Sequence, residues 1–159
     1  MTENRISRRF ARGLAATSNV LRPLAPLATR LALGQAFILT GLGKWKNLDG
    51  TTAFFGELGI PAPRANALFV ATLELVGGAC LVLGLGTRVF ALLLTATLVV
   101  ALLTADRQDL LGALALSPEK GLLDIAASAY VLFLLWLAAF GAGPISVDRL
   151  LSRGDDPAT

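Results

Sequence analysis

Apolar residues run almost unbroken through four stretches: Leu24 to Trp45, Ala65 to Leu85, Arg88 to Ala105 and Gly121 to Gly141. Each is near the ~20 residues a helix needs to cross a bilayer core. The runs are continuous rather than alternating, which favours helices over barrel strands. Between Val89 and Ala105 no charge interrupts the third run. Only Gly84-Leu85-Gly86-Thr87 separates runs two and three, so these two should form a hairpin around a tight turn.

The other two connections are longer. In Lys46 to Arg64, the residues Thr52, Phe54, Phe55, Leu58 and Ile60 predict a short interfacial helix, ended by Pro61 and Pro63. In Asp106 to Lys120, charges mix with Leu110, Leu111, Leu114 and Leu116, the pattern of a segment that dips back into the interface. The predicted class is an all-α membrane protein. Its expected architecture is an antiparallel bundle of four transmembrane helices, with the two longer extracytoplasmic connections capping one mouth.

Composition agrees. The 159 residues are 55% apolar and 16% charged, and mean hydropathy is +0.68. A soluble domain carries roughly 25% charged residues. This balance excludes an ordinary soluble enzyme and a disordered chain. The chain has no His, its single Met is Met1 and its single Cys is Cys80. Zinc sites, haem with axial His and His-based acid–base chemistry all require side chains absent here. We therefore expect no cofactor held covalently or by metal ligands, and any electron carrier must come from a ligand or a partner. Cys80 reads as a small buried hydrophobe. The Gly84-Leu85-Gly86 turn lacks the strand-then-helix setting of a dinucleotide site.

Arg5, Arg8, Arg9, Arg12 and Arg22 stand against one acid, Glu3, near the N-terminus. Ser7-Arg8-Arg9-Phe10 suggests a twin-Arg signal, but no apolar core follows directly, and Arg22 and Pro23 interrupt the stretch. Residues 1–23 are read as a basic cytoplasmic tail, either resting on anionic lipid or simply disordered. Residues 24–145 form the membrane domain, and 146–159 a short cytoplasmic segment with a helix over Ser146 to Arg153. The tails and the Arg88 turn carry eight basic residues against five in the two longer connections. By the positive-inside rule both termini lie in the cytoplasm. The basic tail also accounts for a pI of about 9.6, with no sign of nucleic-acid binding.

The candidate chemistry lies in charges placed where charge is expensive: Arg30 in run one, Glu74 in run two, Asp124 at the start of run four. A depth count at 1.5 Å per residue puts Arg30 and Glu74 about 6 Å apart in depth, within reach of a guanidinium, making them the first candidate pair. Asp124 and Lys44 are the second. Arg30, Gly34, Phe37, Gly41 and Lys44 share one face of the first helix, and Glu74 shares a face with Gly77, Gly78 and Leu81. Such Gly-lined faces could enclose a polar pocket or simply fix how two helices pack. Arg88, Ser128 and Tyr130 are secondary candidates, with Tyr130 also readable as a packing residue. Trp45 reads as an interface anchor, and Trp136 as a packing or interface residue.

Three motifs, in this order, resemble DoxX-type (DoxX/DoxD-like) membrane proteins. They are Arg30-Leu31-Ala32-Leu33-Gly34 with Phe37-Ile38 and Gly41-Leu42-Gly43-Lys44; Glu74-Leu75-Val76-Gly77-Gly78 with Gly84-Leu85-Gly86-Thr87-Arg88; and Gly141-Ala142-Gly143-Pro144-Ile145-Ser146-Val147-Asp148. The resemblance spans Arg30 to Leu150. It implies a four-helix protein of the bacterial cytoplasmic membrane, of a family linked to quinol oxidases and thiosulfate:quinone oxidoreductases. The function expected on that basis is a redox-accessory or quinone-interacting, non-catalytic subunit, with quinone as the candidate cofactor. Lipid, a partner redox subunit and a second copy are the candidate partners. A carrier for a small anion and a scaffold for a partner complex stay open as alternatives.

Overall fold

The computed structural model describes residues 3–116 and 121–152, with side chains described from residue 22 onward. Lys120, the residues past Ser152 and the side chains of the N-terminal basic cluster lie outside the described residues. Among those described, all regular structure is helical. Seven α-helices run α1 (Glu3–Lys46), α2 (Leu48–Glu57), α3 (Pro63–Leu83), α4 (Thr87–Thr104), α5 (Arg107–Leu114), α6 (Ala126–Phe140) and α7 (Val147–Ser152), with a 3-10 turn over Leu122–Asp124 before α6. Three segments are long and apolar enough to cross a membrane: Arg22–Lys46, Pro63–Leu83 and Thr87–Thr104. Their outward side chains, Leu39, Phe69, Val89 and Leu103 among them, are large and apolar.

Two helices depart from expectation at their ends. The first does not begin at Leu24. It passes unbroken through Pro23 and Pro26 from Glu3. Spanning helices tolerate proline because neighbouring groups satisfy the freed backbone. Pro26 abuts the turn at Gly143. The fourth apolar run is helical only from Ala126, giving α6 15 residues. The Asp124 carboxylate accepts from the Gly121 amide at 2.7 Å, and Ile125 is extended, so the chain bends before α6 starts. Ile125 turns inward to join Leu102 and Ala113 in a small apolar cluster.

The helices pack as two tight pairs, α1 on α3 and α4 on α6, with α2 against α3. Glycine sets the first pair. A methyl group on Gly34 would fall 2.7 Å from the Gly78 carbonyl oxygen, and one on Gly41 would fall 2.7 Å from the Leu75 amide nitrogen. These helices therefore touch backbone to backbone, as small residues permit in lipid, where no hydrophobic force separates protein from solvent. The main core, including Leu33, Phe37, Leu81, Leu94, Leu134 and Leu137, fills the space between the pairs.

The turn from α3 to α4 is held by the C-terminal segment. Gly84 and Gly86 take left-handed φ of +70° and +57°, conformations that favour glycine. Asp148 then caps α4, its carboxylate accepting from the amides of Gly86 (2.6 Å) and Thr87 (3.0 Å). An acidic group at a helix N-terminus satisfies orphan amides and complements the helix dipole. The Asp148 amide donates back to the Gly84 carbonyl at 2.9 Å.

Two substitutions separate the glycine seam from ordinary helix propensity. Gly78→Ala should lower stability by roughly 1–3 kcal/mol, because its methyl must push two backbones apart. Gly43→Ala, whose methyl meets nothing within 4 Å, should leave stability unchanged or raise it by up to about 1 kcal/mol. Thermal unfolding in detergent micelles reads both.

Candidate functional site

The glycine seam decides which charges meet. Glu74 Cβ lies beside Gly41, where a methyl group would come within 3.2 Å of it. Gly41 is one turn from Lys44 but eleven residues, about 16 Å of helix, from Arg30. The expected Arg30–Glu74 pair therefore does not form. Instead Lys44 Nζ donates to Glu74 Oε2 at 2.6 Å. The Glu74 side chain is 8% exposed and that of Lys44 26%.

The expected Lys44–Asp124 pair is absent for a related reason. Asp124 is exposed and its carboxylate serves the Gly121 amide, within the turn that shortens α6. Arg30 lies in the opposite half of the bundle, 1% exposed, where Nη2 donates to the Ile145 carbonyl at 2.7 Å. Its guanidinium lies against Gly84, where any side chain would collide with it. Arg30 thus braces the junction of α1, the α3–α4 turn and the C-terminal segment, away from Glu74. Arg88 is exposed near that junction and reaches the Ala139 carbonyl at 3.5 Å. Ser128 is buried and donates to the carbonyls of Ile125 and Leu122, fixing the start of α6.

The Lys44–Glu74 pair lines a cavity of about 550 Å³, walled by α1, α3, α4 and the first turns of α6 and roofed by α2. This volume is typical of a small-molecule site. Most of the wall is apolar, with Phe37, Phe55, Leu73 and Leu98 contributing. Several of its polar residues already have local partners. Thr40 donates to the Phe37 carbonyl, Thr97 to Leu94 and Asn66 to Pro61. Tyr130 also lines the cavity, and its hydroxyl has no hydrogen-bond partner among the described residues. Its ring packs on Phe37 with centroids 6.0 Å apart.

The cavity therefore offers an ammonium with N–H groups to share, a carboxylate and a phenol, all set in an apolar wall. Sequence reasoning had Lys44, Glu74 and Tyr130 among its candidates. It missed Asn66 and Asp106, which also line the cavity, because each sits at a helix end where a polar residue is unremarkable. It also missed Asp148 as a cap. The exposed amides of a Gly-x-Gly-Thr turn ahead of a helix were the available signal.

Removing one partner of the ion pair should be asymmetric. Lys44→Met leaves a buried carboxylate unpaired and should lower stability by about 3–5 kcal/mol. Glu74→Gln leaves an ammonium on a long stem that can turn toward water, so the loss should be smaller. The double variant should be more stable than Lys44→Met alone, giving a measurable coupling in a double-mutant cycle by detergent-phase unfolding.

Comparison with known proteins agrees with the motifs. The DoxX family pattern matches residues 25–107, just over half of the chain. "Inner membrane protein YphA" of Escherichia coli (strain K12) is 34% identical over 129 residues, covering 80% of this chain and 91% of that protein. "Putative oxidoreductase CatD" of Bacillus subtilis (strain 168) is 36% identical over 81 residues, or 51% of this chain and 59% of that protein's length. No solved structure matches. The match covers α1 from residue 25, α2, α3, α4 and both members of the ion pair, and the chain belongs to the DoxX family of membrane proteins.

Proposed function

We propose that this protein is a redox-accessory membrane subunit that seats a quinone-type ring, a lipophile edged with carbonyl groups, in the cavity beside Lys44, Glu74 and Tyr130. The observation that carries this reading is an apolar cavity of small-molecule size lined by Lys44, Glu74 and Tyr130. Lys44 can donate to one carbonyl while still holding Glu74, since an ammonium has three donors. Tyr130 can donate to a second. Glu74 can accept from the hydroxyl of the reduced ring. Reduction of the ring takes a pair of electrons and a pair of protons. In this reading the electrons come from a partner oxidoreductase subunit, and this chain supplies binding, orientation and hydrogen bonds. The name of one relative, "Putative oxidoreductase CatD", points the same way.

In the same proposal α6 completes a four-span antiparallel bundle in the bacterial inner membrane, with both termini cytoplasmic and α2 and α5 on the outer side. Lys44 is neutralised by Glu74, which favours a neutral ligand over the anion of a carrier.

Equilibrium binding of a benzoquinone probe to the purified protein tests the reading. Wild type should bind it, and Tyr130→Phe should weaken binding by up to about tenfold, the worth of one net hydrogen bond. Glu74→Gln should shift the relative affinity for reduced and oxidised probe. Absence of binding by the wild-type protein, or a full set of variants with unchanged affinity, would refute it.

A further inference from the structure

One wall of the cavity is formed by α3 and α4. Helices α3 and α4 each lean on another helix more than on each other, α3 on α1 and α4 on α6. Near their shared turn they close, with Leu94 packed over Gly77. Farther from the turn, Phe69 and Val70 on α3 and Val100 and Ala101 on α4 all line the cavity instead. Phe69 is 58% exposed and Val100 49%. Large apolar side chains that line a cavity and also show at the outer surface mark where the cavity meets the surroundings. On a spanning segment those surroundings are acyl chains. The α1–α3 seam and the α4–α6 contact close two other sides, and α2 covers one end of the cavity.

We infer that the gap between the α2-side halves of α3 and α4 is a lateral portal. Through it, a ligand with a ring head and a long apolar tail seats its head at Lys44, Glu74 and Tyr130 and leaves its tail in the bilayer. This rests on the proposed function and narrows its ligand to a tailed one. A cavity of about 550 Å³ holds a head group of drug-like size but not a long isoprenoid chain. The tail must therefore leave, and its apolar path runs between Phe69 and Val100.

The test uses the full chain in lipid nanodiscs and three benzoquinones: without a tail, with a short isoprenoid tail and with a long one. Affinity is expressed per mole fraction in lipid. The portal requires the three affinities to agree to well within tenfold. Val100→Trp, which plugs the gap, should weaken the long-tailed probe by about tenfold or more and the tail-less probe far less. Leu103→Trp is the control, because Leu103 is exposed on the same helix but outside the cavity. It should leave all three unchanged. Binding of the tail-less probe with loss of affinity as the tail grows would overturn the portal and leave the proposed function standing. So would a Val100→Trp variant that treats long-tailed and tail-less probes alike. No binding of any probe to wild type would refute the proposed function, and the portal with it.

Discussion

The backbone contact of α1 with α3 over Gly34, Gly41 and Gly78 fixes everything that follows. In lipid, helices gain little by hiding apolar side chains from a solvent that is itself apolar, so close packing of small residues supplies much of the adhesion. That contact has one register. Sliding α3 by a single turn would bring Glu74 or Val82 to the place where Gly78 meets Gly34, and their side chains would hold the two backbones apart. The register places Glu74 beside Gly41, within reach of Lys44, and leaves Arg30 at the far end. Which charge pairs with which is a consequence of where glycine lets two backbones touch.

This explains what was legible in the sequence and what was not. The length and continuity of the apolar runs predicted α3 and α4 to within a few residues. The aromatic stretch before Pro61 predicted α2, and the motifs predicted the family. Lys44, Glu74 and Tyr130 were all recognised as candidates, yet the partners were wrong. A depth count treats the spans as rods aligned at their ends. Here α1 runs on past its apolar stretch through two prolines, and the true alignment is set by glycines partway along. Asp124 was misplaced because a carboxylate that binds an amide three residues back ends a turn instead of entering a span. The cavity itself was not legible. Its wall combines five helices, and no local pattern reports the gap between α3 and α4.

The two ends of the bundle have different mechanical characters. At one end Arg30 bridges to Ile145 and Asp148 clasps the start of α4, so α1, α3, α4 and the C-terminal segment form one knot of directed bonds. The Gly84 and Gly86 conformations keep that turn short. At the other end α3 and α4 both line the cavity under α2, with no directed bond between them among the described residues. A hairpin pinned at its turn can spread at its open ends without breaking those bonds, whereas spreading at the turn would break several at once.

The ion pair's burial restricts what the cavity can accept. A lone charge in the apolar part of a membrane protein is disfavoured by several kcal/mol, on scales that run from ~3 to more than 10. Lys44 and Glu74 largely cancel that penalty for each other. An anion entering beside Lys44 would face the Glu74 carboxylate at close range, and one of the two negative groups would have to take up a proton or move away. A neutral carbonyl asks for nothing of the kind. It accepts a hydrogen bond from an ammonium N–H that Glu74 does not use, and the salt bridge stays intact. A few polar groups in an otherwise apolar cavity, with Lys44 and Glu74 neutralising each other, select a ligand that is itself greasy over most of its surface and polar at its rim. Such a molecule already resides in the bilayer, and the gap between α3 and α4 faces the medium that holds it.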